Sequence, residues 1–383
     1  MNDKKFLSLS ICLLMFPQLA QTLSSPALDD ISRTFSIPPQ VASQAFAVYY
    51  IAFALGVVAW GLVCDRIGRR PAMIAGLSIC AVGTFAGLLV DSFNAILVIQ
   101  AVAAFGAAAG SVVTQTMLRD RLTGRSLAAV FSLATVALSA SPAIGLCLGS
   151  AIVQAYGYAG VMACVSAMAA LLVGCTAAAL PETRQAGAAR APLAATLRLL
   201  VRDRSIWRSA VLVAVFNVAV LSYYEIAPFT FGRLRLSGML YAASGLLLAF
   251  GALFGGWLNK RVDVPARSEA SLLAIAAASM CTAGIAIHAL RESAWFVAPM
   301  LLVVIAFGIC IPRILGKALD RHRDRLGTAG ACFGLMYYLM IGAGMALVGS
   351  FQSLCGALVA CGAIVGVLSV GFSRAKVRSP SLN

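Results

Sequence analysis

Charged residues are scarce in this sequence: Asp, Glu, Lys and Arg make up only 11% of its 383 positions, while 61% are hydrophobic. Soluble domains carry about 25% charged residues, so the composition excludes an ordinary soluble protein. The sequence also lacks the short alternating segments that form membrane β-barrels. Its apolar residues form continuous runs instead, and these indicate transmembrane helices.

Histidine is nearly absent, with two residues, and no His or Cys cluster has the spacing of metal ligands. Ten of the eleven cysteines lie inside apolar runs without paired spacing, and we interpret them as small packing residues rather than disulfide partners. The sequence lacks a phosphate-binding GxxxxGK[ST] loop, which a pump driven by ATP on this chain would need. We therefore expect no metal, no cofactor and no enzymatic activity.

About twelve apolar stretches of roughly 20 residues follow one another, and each is long enough to cross ~30 Å of hydrocarbon as a helix. We predict an all-α polytopic membrane protein with twelve transmembrane helices in two six-helix bundles. The predicted spans cover residues 6–24, 41–63, 72–91, 94–117, 127–154, 157–180, 207–231, 237–259, 269–290, 295–316, 328–350 and 352–373.

The longest connection divides these spans six and six, and its Pro, Gly, Ala and Arg content predicts a cytoplasmic linker with a short amphipathic surface helix. We therefore predict an N-terminal bundle at 1–180, a linker at 181–206 and a C-terminal bundle at 207–383. A weak repeat relates the halves, because Pro26 and Pro228 occupy similar places near the ends of spans 1 and 7. Repeated halves with a site at their interface are typical of secondary transporters.

Basic residues are distributed unevenly between the two sides of the predicted membrane. The tails and even-numbered loops hold 25 of the 29 Lys and Arg, and the other side holds Arg33, Arg233, Arg235 and Arg291. This bias places both termini in the cytoplasm. The net charge of +15 is spread over several loops and forms no single basic face, which argues against a nucleic-acid partner. It predicts attraction to anionic membrane lipid instead.

The loop after span 2 reads GLVCDRIGRRPAMIAG and resembles the G-x-L-x-D-R-x-G-R-[RK] signature of the major facilitator superfamily. Gly61 and Gly68 permit a close approach of helices and loop, while Asp65 is suited to cap the next element and pair with Arg66 or Arg69. By resemblance, we expect these charged residues to stabilise the outward-open state. The alternative is an ordinary positively charged cytoplasmic loop.

Other segments resemble the twelve-span drug–proton antiporters, and among them the bicyclomycin and chloramphenicol resistance (Bcr/CflA) branch. They are SPALDDISRTFSI after span 1, MLRDRLTGR after span 4, LPETR after span 6, and IPRILGKAL and GTAGACFGLMYYLMIG in spans 10 and 11. SASPAIGLCLG resembles the antiporter motif of span 5, where Pro142, Gly145 and Gly149 would bend the helix and permit tight packing. The resemblance implies a bacterial inner-membrane exporter, which we expect to be monomeric and proton-coupled.

Two charges that many members of the branch carry are missing from this chain. Gln18, Gln21 and Thr22 stand where relatives have an acid in span 1, and Gln100 matches the position of an arginine in span 4. A charge inside a span costs roughly 2.5–3.5 kcal/mol on insertion scales. The joint loss of an acid and a base is therefore expected if the two had compensated each other.

One carboxyl group remains inside the predicted spans. Of the fourteen acidic residues, we place thirteen in loops, tails or helix ends, and only Glu225 clearly within a span. Tyr223 and Tyr224 precede it, and Asn217 lies two turns deeper. Because desolvation disfavours the charged form of a carboxyl group, we predict that Glu225 loads and releases the coupling proton.

The alternative for Glu225 is an interfacial glutamate near the lipid headgroups, paired with Arg233 or Arg235. In the transport hypothesis, the resemblance implies alternating access around a cavity lined by spans 1, 4, 7 and 10. The alternative for each lining residue is a bridge between two membrane helices. The candidate lining residues are Gln18, Gln21, Gln100, Asn217, Tyr223, Tyr224 and Glu225.

The substrate class stays open between amphiphilic drugs and endogenous metabolites such as siderophores. A narrow cavity with one acid and several amides suits a hydrophilic metabolite at least as well as a lipophilic cation. Two other functions also remain open, namely a facilitator without proton coupling and a membrane receptor that transports nothing.

Overall fold

The computed structural model describes residues 3–184, 193–261, 269–319 and 326–377, and within them every element of regular structure is helical. The helices are α1 (Asp3–Ser24), α2 (Ala27–Thr34), α3 (Pro39–Ala42), α4 (Gln44–Ile67), α5 (Arg69–Ala86), α6 (Phe93–Arg121), α7 (Gly124–Ala179), α8 (Leu193–Arg202), α9 (Arg204–Arg233), α10 (Gly238–Arg261), α11 (Glu269–Ala289), α12 (Met300–Ala318), α13 (Leu326–Phe351) and α14 (Leu354–Val377). Short 3-10 turns at Gly87–Leu89 and Ala294–Val297 complete the list.

Among the described residues, ten helical segments are long and apolar enough to cross a membrane. One of them, Ala129–Ala179, has 51 residues. A single span needs about 20 residues, and α7 breaks at Gly157 with φ 63° and ψ −163°, so α7 supplies two spans. The shorter apolar helix Leu354–Val370 supplies the last one. The predicted fold of twelve transmembrane helices is confirmed.

An even number of spans brings the start of α1 and the end of α14 to the same face of the molecule, which we call the terminal face. The opposite face, which carries α2 and α3, is the far face. The connection between the halves contains α8 at the terminal face. Residues 185–192 of the predicted linker lie outside the described residues, and the predicted limits of the two bundles stay a prediction.

Each half packs around its own helices, and helices of the two halves also meet. In the N-terminal half α6 contacts α4 and α5, and in the C-terminal half α10 contacts α12 and α11 contacts α14. Across the halves α4 packs against α13, and α7 packs against α10. Small residues permit these contacts because transmembrane helices associate mainly by close packing.

Candidate functional site

A charge cluster joins three helix ends at the terminal face. Arg69 Nη1 donates to Asp65 Oδ1 at 2.5 Å, and its Nε donates to Asp120 Oδ2 at 3.0 Å. Arg69 is only 8% exposed, so the two carboxylates replace much of its hydration. Arg66 takes part through its backbone, since its carbonyl accepts a hydrogen bond from Arg184 Nη1 at 2.7 Å. Of the four charged residues, Asp65 and Arg69 belong to the predicted gating motif and Asp120 to the RD segment after span 4. The fourth, Arg184, belongs to the LPETR segment.

Sequence reasoning assigned no role to Glu182, the acid of the LPETR segment. Its two oxygens accept hydrogen bonds from the backbone N–H groups of Arg69 and Arg70, at 2.9 Å and 3.1 Å. These are N-terminal groups of α5, which have no partner within the helix. Burial raises the pKa of the Glu182 carboxyl, but hydrogen bonds from four backbone N–H groups outweigh it, and the pKa lies below its ordinary value. Glu182 therefore ties the end of span 6 to the start of span 3.

Of the two glycines in the gating motif, Gly68 is the one in close contact. It has φ 108°, and a Cβ atom there would lie 2.5 Å from Oε2 of Glu182. At Gly61 an added Cβ would meet only Val112, at an ordinary 3.8 Å. A side chain at Gly68 would thus strain the backbone and displace the carboxylate that caps α5.

The proline and glycine motif of span 5 faces α1. A Cβ at Gly149 would lie 2.5 Å from the carbonyl oxygen of Leu23, and a Cβ at Gly145 would overlap the hydroxyl of Thr22. Pro142 lies inside α7 and has no N–H to donate to the preceding turn. The two glycines allow the backbones of α7 and α1 to touch.

Side-chain hydrogen bonds between the two halves, as far as the described residues show them, lie towards the far face. The Ser25 hydroxyl donates to the Tyr224 carbonyl and lies 2.6 Å from the Tyr241 hydroxyl. Gln352 Nε2 donates to Ser43 Oγ at 2.7 Å. A longer contact of 3.7 Å joins Cys147 Sγ to the carbonyl of Ala242. The halves are therefore closed against each other at the far face.

Glu225 lies inside this closed region. Its side chain is 0% exposed, and neither carboxyl oxygen has a hydrogen-bond partner among the described residues. A Cβ added to Gly349 of α13 would lie 2.7 Å from Oε1 of Glu225 and 2.8 Å from the Cβ of Ser43. The carboxyl group is thus enclosed between α9, α13 and the start of α4, where the two halves meet.

No arginine among the described residues pairs with Glu225. Arg233 Nη2 donates instead to the carbonyl of Arg291 at 3.1 Å and lies 4.0 Å from a carboxyl oxygen of Glu292. The side chain of Tyr50 in α4 is near enough to Glu225 for the two groups to interact electrostatically. A buried carboxyl group without a charged or hydrogen-bonding partner is costly in its ionised form.

The two glutamines of α1 lie one turn apart, before the residue that contacts the C-terminal half. Gln18, Gln21 and Ser25 follow each other at helical spacing, and Ser25 contacts α9 and α10 directly. Gln18 is half-buried. Gln21 is 2% exposed, and neither its amide oxygen nor its amide nitrogen has a partner among the described residues. The Gln21 amide therefore keeps unused hydrogen-bonding groups in a buried place.

The other predicted lining residues lie deeper within one half. Gln100 lines a cavity of about 40 Å³ enclosed by helices of the N-terminal half. The Tyr223 hydroxyl bonds to that of Ser244, and its ring packs 6.4 Å from that of Phe296, within the C-terminal half. Asn217 Nδ2 donates to the carbonyl of Val213 at 2.8 Å. The contact of Tyr224 across the halves is made by its backbone carbonyl.

Comparison with known proteins gives both a family and a fold. Residues 10–345 match the family model described as Major Facilitator Superfamily. An uncharacterized transporter of Rickettsia bellii is 27% identical over 360 residues, which cover 90% of this chain and 89% of that protein. The crystal structure of a D-xylose–proton symporter superposes with a TM-score of 0.76 at 14% identity and covers 97% of both chains, which shows the fold.

Two further relatives carry names from drug resistance. Multidrug resistance protein D of Escherichia coli is 23% identical, with 87% of this chain and 85% of that protein covered. The bicyclomycin resistance protein homolog of Haemophilus influenzae is 24% identical, with 87% of each covered. The predicted resemblance to the bicyclomycin and chloramphenicol resistance proteins is confirmed. The chain is a membrane transporter and not an enzyme, and it belongs to the Major Facilitator Superfamily.

Proposed function

We propose that this transporter exports a small organic molecule across the bacterial inner membrane in exchange for protons, and that Glu225 carries the exchanged proton. The observation that supports this proposal most is the complete burial of Glu225 between the two halves without a hydrogen-bond partner. The basic residues of the even-numbered loops and tails support a cytoplasmic terminal face.

The burial of Glu225 gives the exchange a physical basis. Closing the far face removes the carboxyl group from water, and an unpaired carboxylate there would cost several kcal/mol. Protonation removes this cost, so the protonated protein closes the far face more readily. When the far face opens, α13 and the start of α4 separate, and the carboxyl group meets external water and takes up the next proton.

The proposal orders the steps of one cycle. With the far face open, the exporter releases its substrate outside and Glu225 takes up a proton. After the far face has closed, the terminal face opens and lets cytoplasmic water reach Glu225, so that the carboxyl group releases its proton there. Its charge then favours a cationic or hydrogen-bonding substrate group. The buried amide of Gln21 offers this substrate a further donor and acceptor.

The names of the relatives support drugs or similar organic compounds as the substrate class. The unpaired amide of Gln21 favours a second candidate, a hydrophilic metabolite of the siderophore type. A buried amide binds a ligand more tightly when the ligand supplies matching hydrogen-bond donors and acceptors. We propose that the transporter works as a monomer embedded in membrane lipid.

Flux measurements in proteoliposomes test the function. We expect an imposed pH gradient to drive uphill movement of at least one compound in a panel of drugs and polar metabolites, and collapse of the gradient to abolish it. Downhill flux that ignores the gradient would indicate a facilitator without proton coupling. Substrate binding without any flux would indicate a receptor.

A further inference from the structure

The short helix α8 has an apolar side against the protein and a basic side facing outwards. Leu200 is completely buried, and α8 packs against α13. Arg198 and Arg202 are exposed and four residues apart, so they share the face opposite Leu200. Leu199 and Val201, each 45% exposed, flank the two arginines. A purely aqueous surface would leave these two aliphatic side chains in water.

α8 ends close to the start of a candidate membrane span. The apolar helix α9 begins at Arg204, two residues after α8 ends. Trp207 is 40% exposed, and its indole N–H donates to the carbonyl of Val201 at 2.7 Å, which ties α8 to α9. Tryptophan is enriched at the level of the lipid headgroups. Both features place α8 at that level on the terminal face.

Among the described residues, no ion pair involves Arg198, Arg202 or Arg204. The nearby Asp203 carboxylate accepts a hydrogen bond from the Ser205 backbone N–H at 2.8 Å, as the cap of α9. Three exposed arginines therefore lie within seven residues of one another, on α8 and at the start of α9.

We infer that Arg198, Arg202 and Arg204 form a binding site for the phosphate groups of anionic phospholipids in the leaflet at the terminal face. Guanidinium groups bind phosphate oxygens through paired N–H donors. Leu199 and Val201 then lie at the boundary with the acyl chains, the arrangement of an interfacial amphipathic helix. Because α8 packs against α13, bound lipid holds the connection between the halves against the C-terminal half.

Native mass spectrometry of the purified full-length protein tests this site. After exposure to equal amounts of phosphatidylglycerol and phosphatidylcholine, we expect the protein to retain about ten times more phosphatidylglycerol than phosphatidylcholine. Each basic residue near an anionic surface adds to binding. The triple variant Arg198→Gln, Arg202→Gln, Arg204→Gln should lose this preference. The control Arg233→Gln, Arg235→Gln, Arg291→Gln removes the same charge from the far face and should keep it.

Hydrogen–deuterium exchange of the unmodified protein gives a test that needs no variant. Backbone amides of residues 197–203 should exchange more slowly in nanodiscs that contain phosphatidylglycerol than in phosphatidylcholine nanodiscs, and high salt should shrink the difference. In the mass-spectrometry test, the variant Arg198→Lys, Arg202→Lys, Arg204→Lys keeps the three positive charges and should retain most of the preference for phosphatidylglycerol. Equal lipid retention by the glutamine variant and the unmodified protein, or equal exchange in both lipids, would overturn the proposal.

Discussion

At the scale of one residue, the proposed coupling role of Glu225 predicts that two transport activities can be separated. Glu225→Gln preserves the volume of the side chain and mimics the protonated form. We expect normal membrane insertion, unchanged or higher thermal stability, loss of uphill export driven by a pH gradient and retention of substrate exchange. Counterflow and pH-driven flux in proteoliposomes measure the two activities separately.

The matched control for this variant is Glu292→Gln, which removes an exposed acid near the far face. Its carboxyl group is 69% exposed, and its loss should leave coupling intact. If Glu225→Gln exports uphill at the rate of the unmodified protein, the coupling group lies elsewhere. Asp29 is then the next candidate, because burial raises the pKa of its carboxyl group despite the opposing charge of Arg33.

Gly349 is the residue whose small size leaves room for the Glu225 carboxyl group. Gly349→Ala places a methyl group 2.7 Å from Oε1 of Glu225 and 2.8 Å from the Cβ of Ser43. Because this crowding exists only when the far face is closed, we expect the variant to favour the far-face-open state and to transport more slowly. Spin labels at Ser36 and Ser350 in a cysteine-free background should report a longer average distance.

Gly256→Ala serves as the control, because a Cβ there meets nothing within 4 Å. Both variants add one methyl group to a transmembrane helix. An unchanged Ser36–Ser350 distance in Gly349→Ala, with normal transport, would show that α13 does not constrain the carboxyl group in this way.

At the scale of elements, Glu182 joins the end of span 6 to the first turn of α5. The pKa of Glu182 is lower in the folded protein than its ordinary value. The ionised carboxylate therefore stabilises the fold at any pH above the ordinary pKa, and this stabilisation is lost as the pH falls through the lowered pKa. Because Glu182 is exposed to solvent and Gln keeps one acceptor oxygen, Glu182→Gln should cost no more than about 1 kcal/mol. Thermal unfolding from pH 7 to pH 3 should show the difference from the unmodified protein shrinking on acidification. A difference that grows on acidification would contradict this role.

For Asp65 we expect an effect on the balance between conformations rather than on stability. Its ion pair with Arg69 lies near water, where such pairs contribute roughly 0–1 kcal/mol. Asp65→Asn should therefore fold normally and bind substrate, yet turn over more slowly, because it removes one contact that holds helix ends together in one state. Binding and flux measured on the same preparation test this expectation, and a normal transport rate would refute it.

At the scale of the whole molecule, the uneven distribution of basic residues predicts that the terminal face lies in the cytoplasm. A cysteine introduced into the linker at 181–206 should react with a membrane-impermeant reagent only after cells are opened. A cysteine at Ser36, on the far face, should react in intact cells and serves as the control. Labelling of the linker in intact cells would refute the proposed orientation.

Hydrophobicity along the chain determined the twelve helices by itself, because each apolar run long enough to cross the bilayer has to satisfy its backbone hydrogen bonds internally. The gating motif also brought Asp65 and Arg69 together locally, since they lie four residues apart at a helix junction. The weak repeat and the long connection in the middle of the sequence predicted two halves, because spans that are neighbours in the sequence tend to pack together.

The tertiary structure alone decided which side chains share a site. Glu182 caps a helix that begins 113 residues earlier, and Glu225 meets Gly349 and Ser43 from other helices. Gln100 and Tyr223 face the interior of their own halves. Hydropathy cannot assign these directions, because the lipid-facing and protein-facing sides of a transmembrane helix are similarly apolar. The rotation of each helix is set by its packing partners, and these partners exist only in the folded molecule.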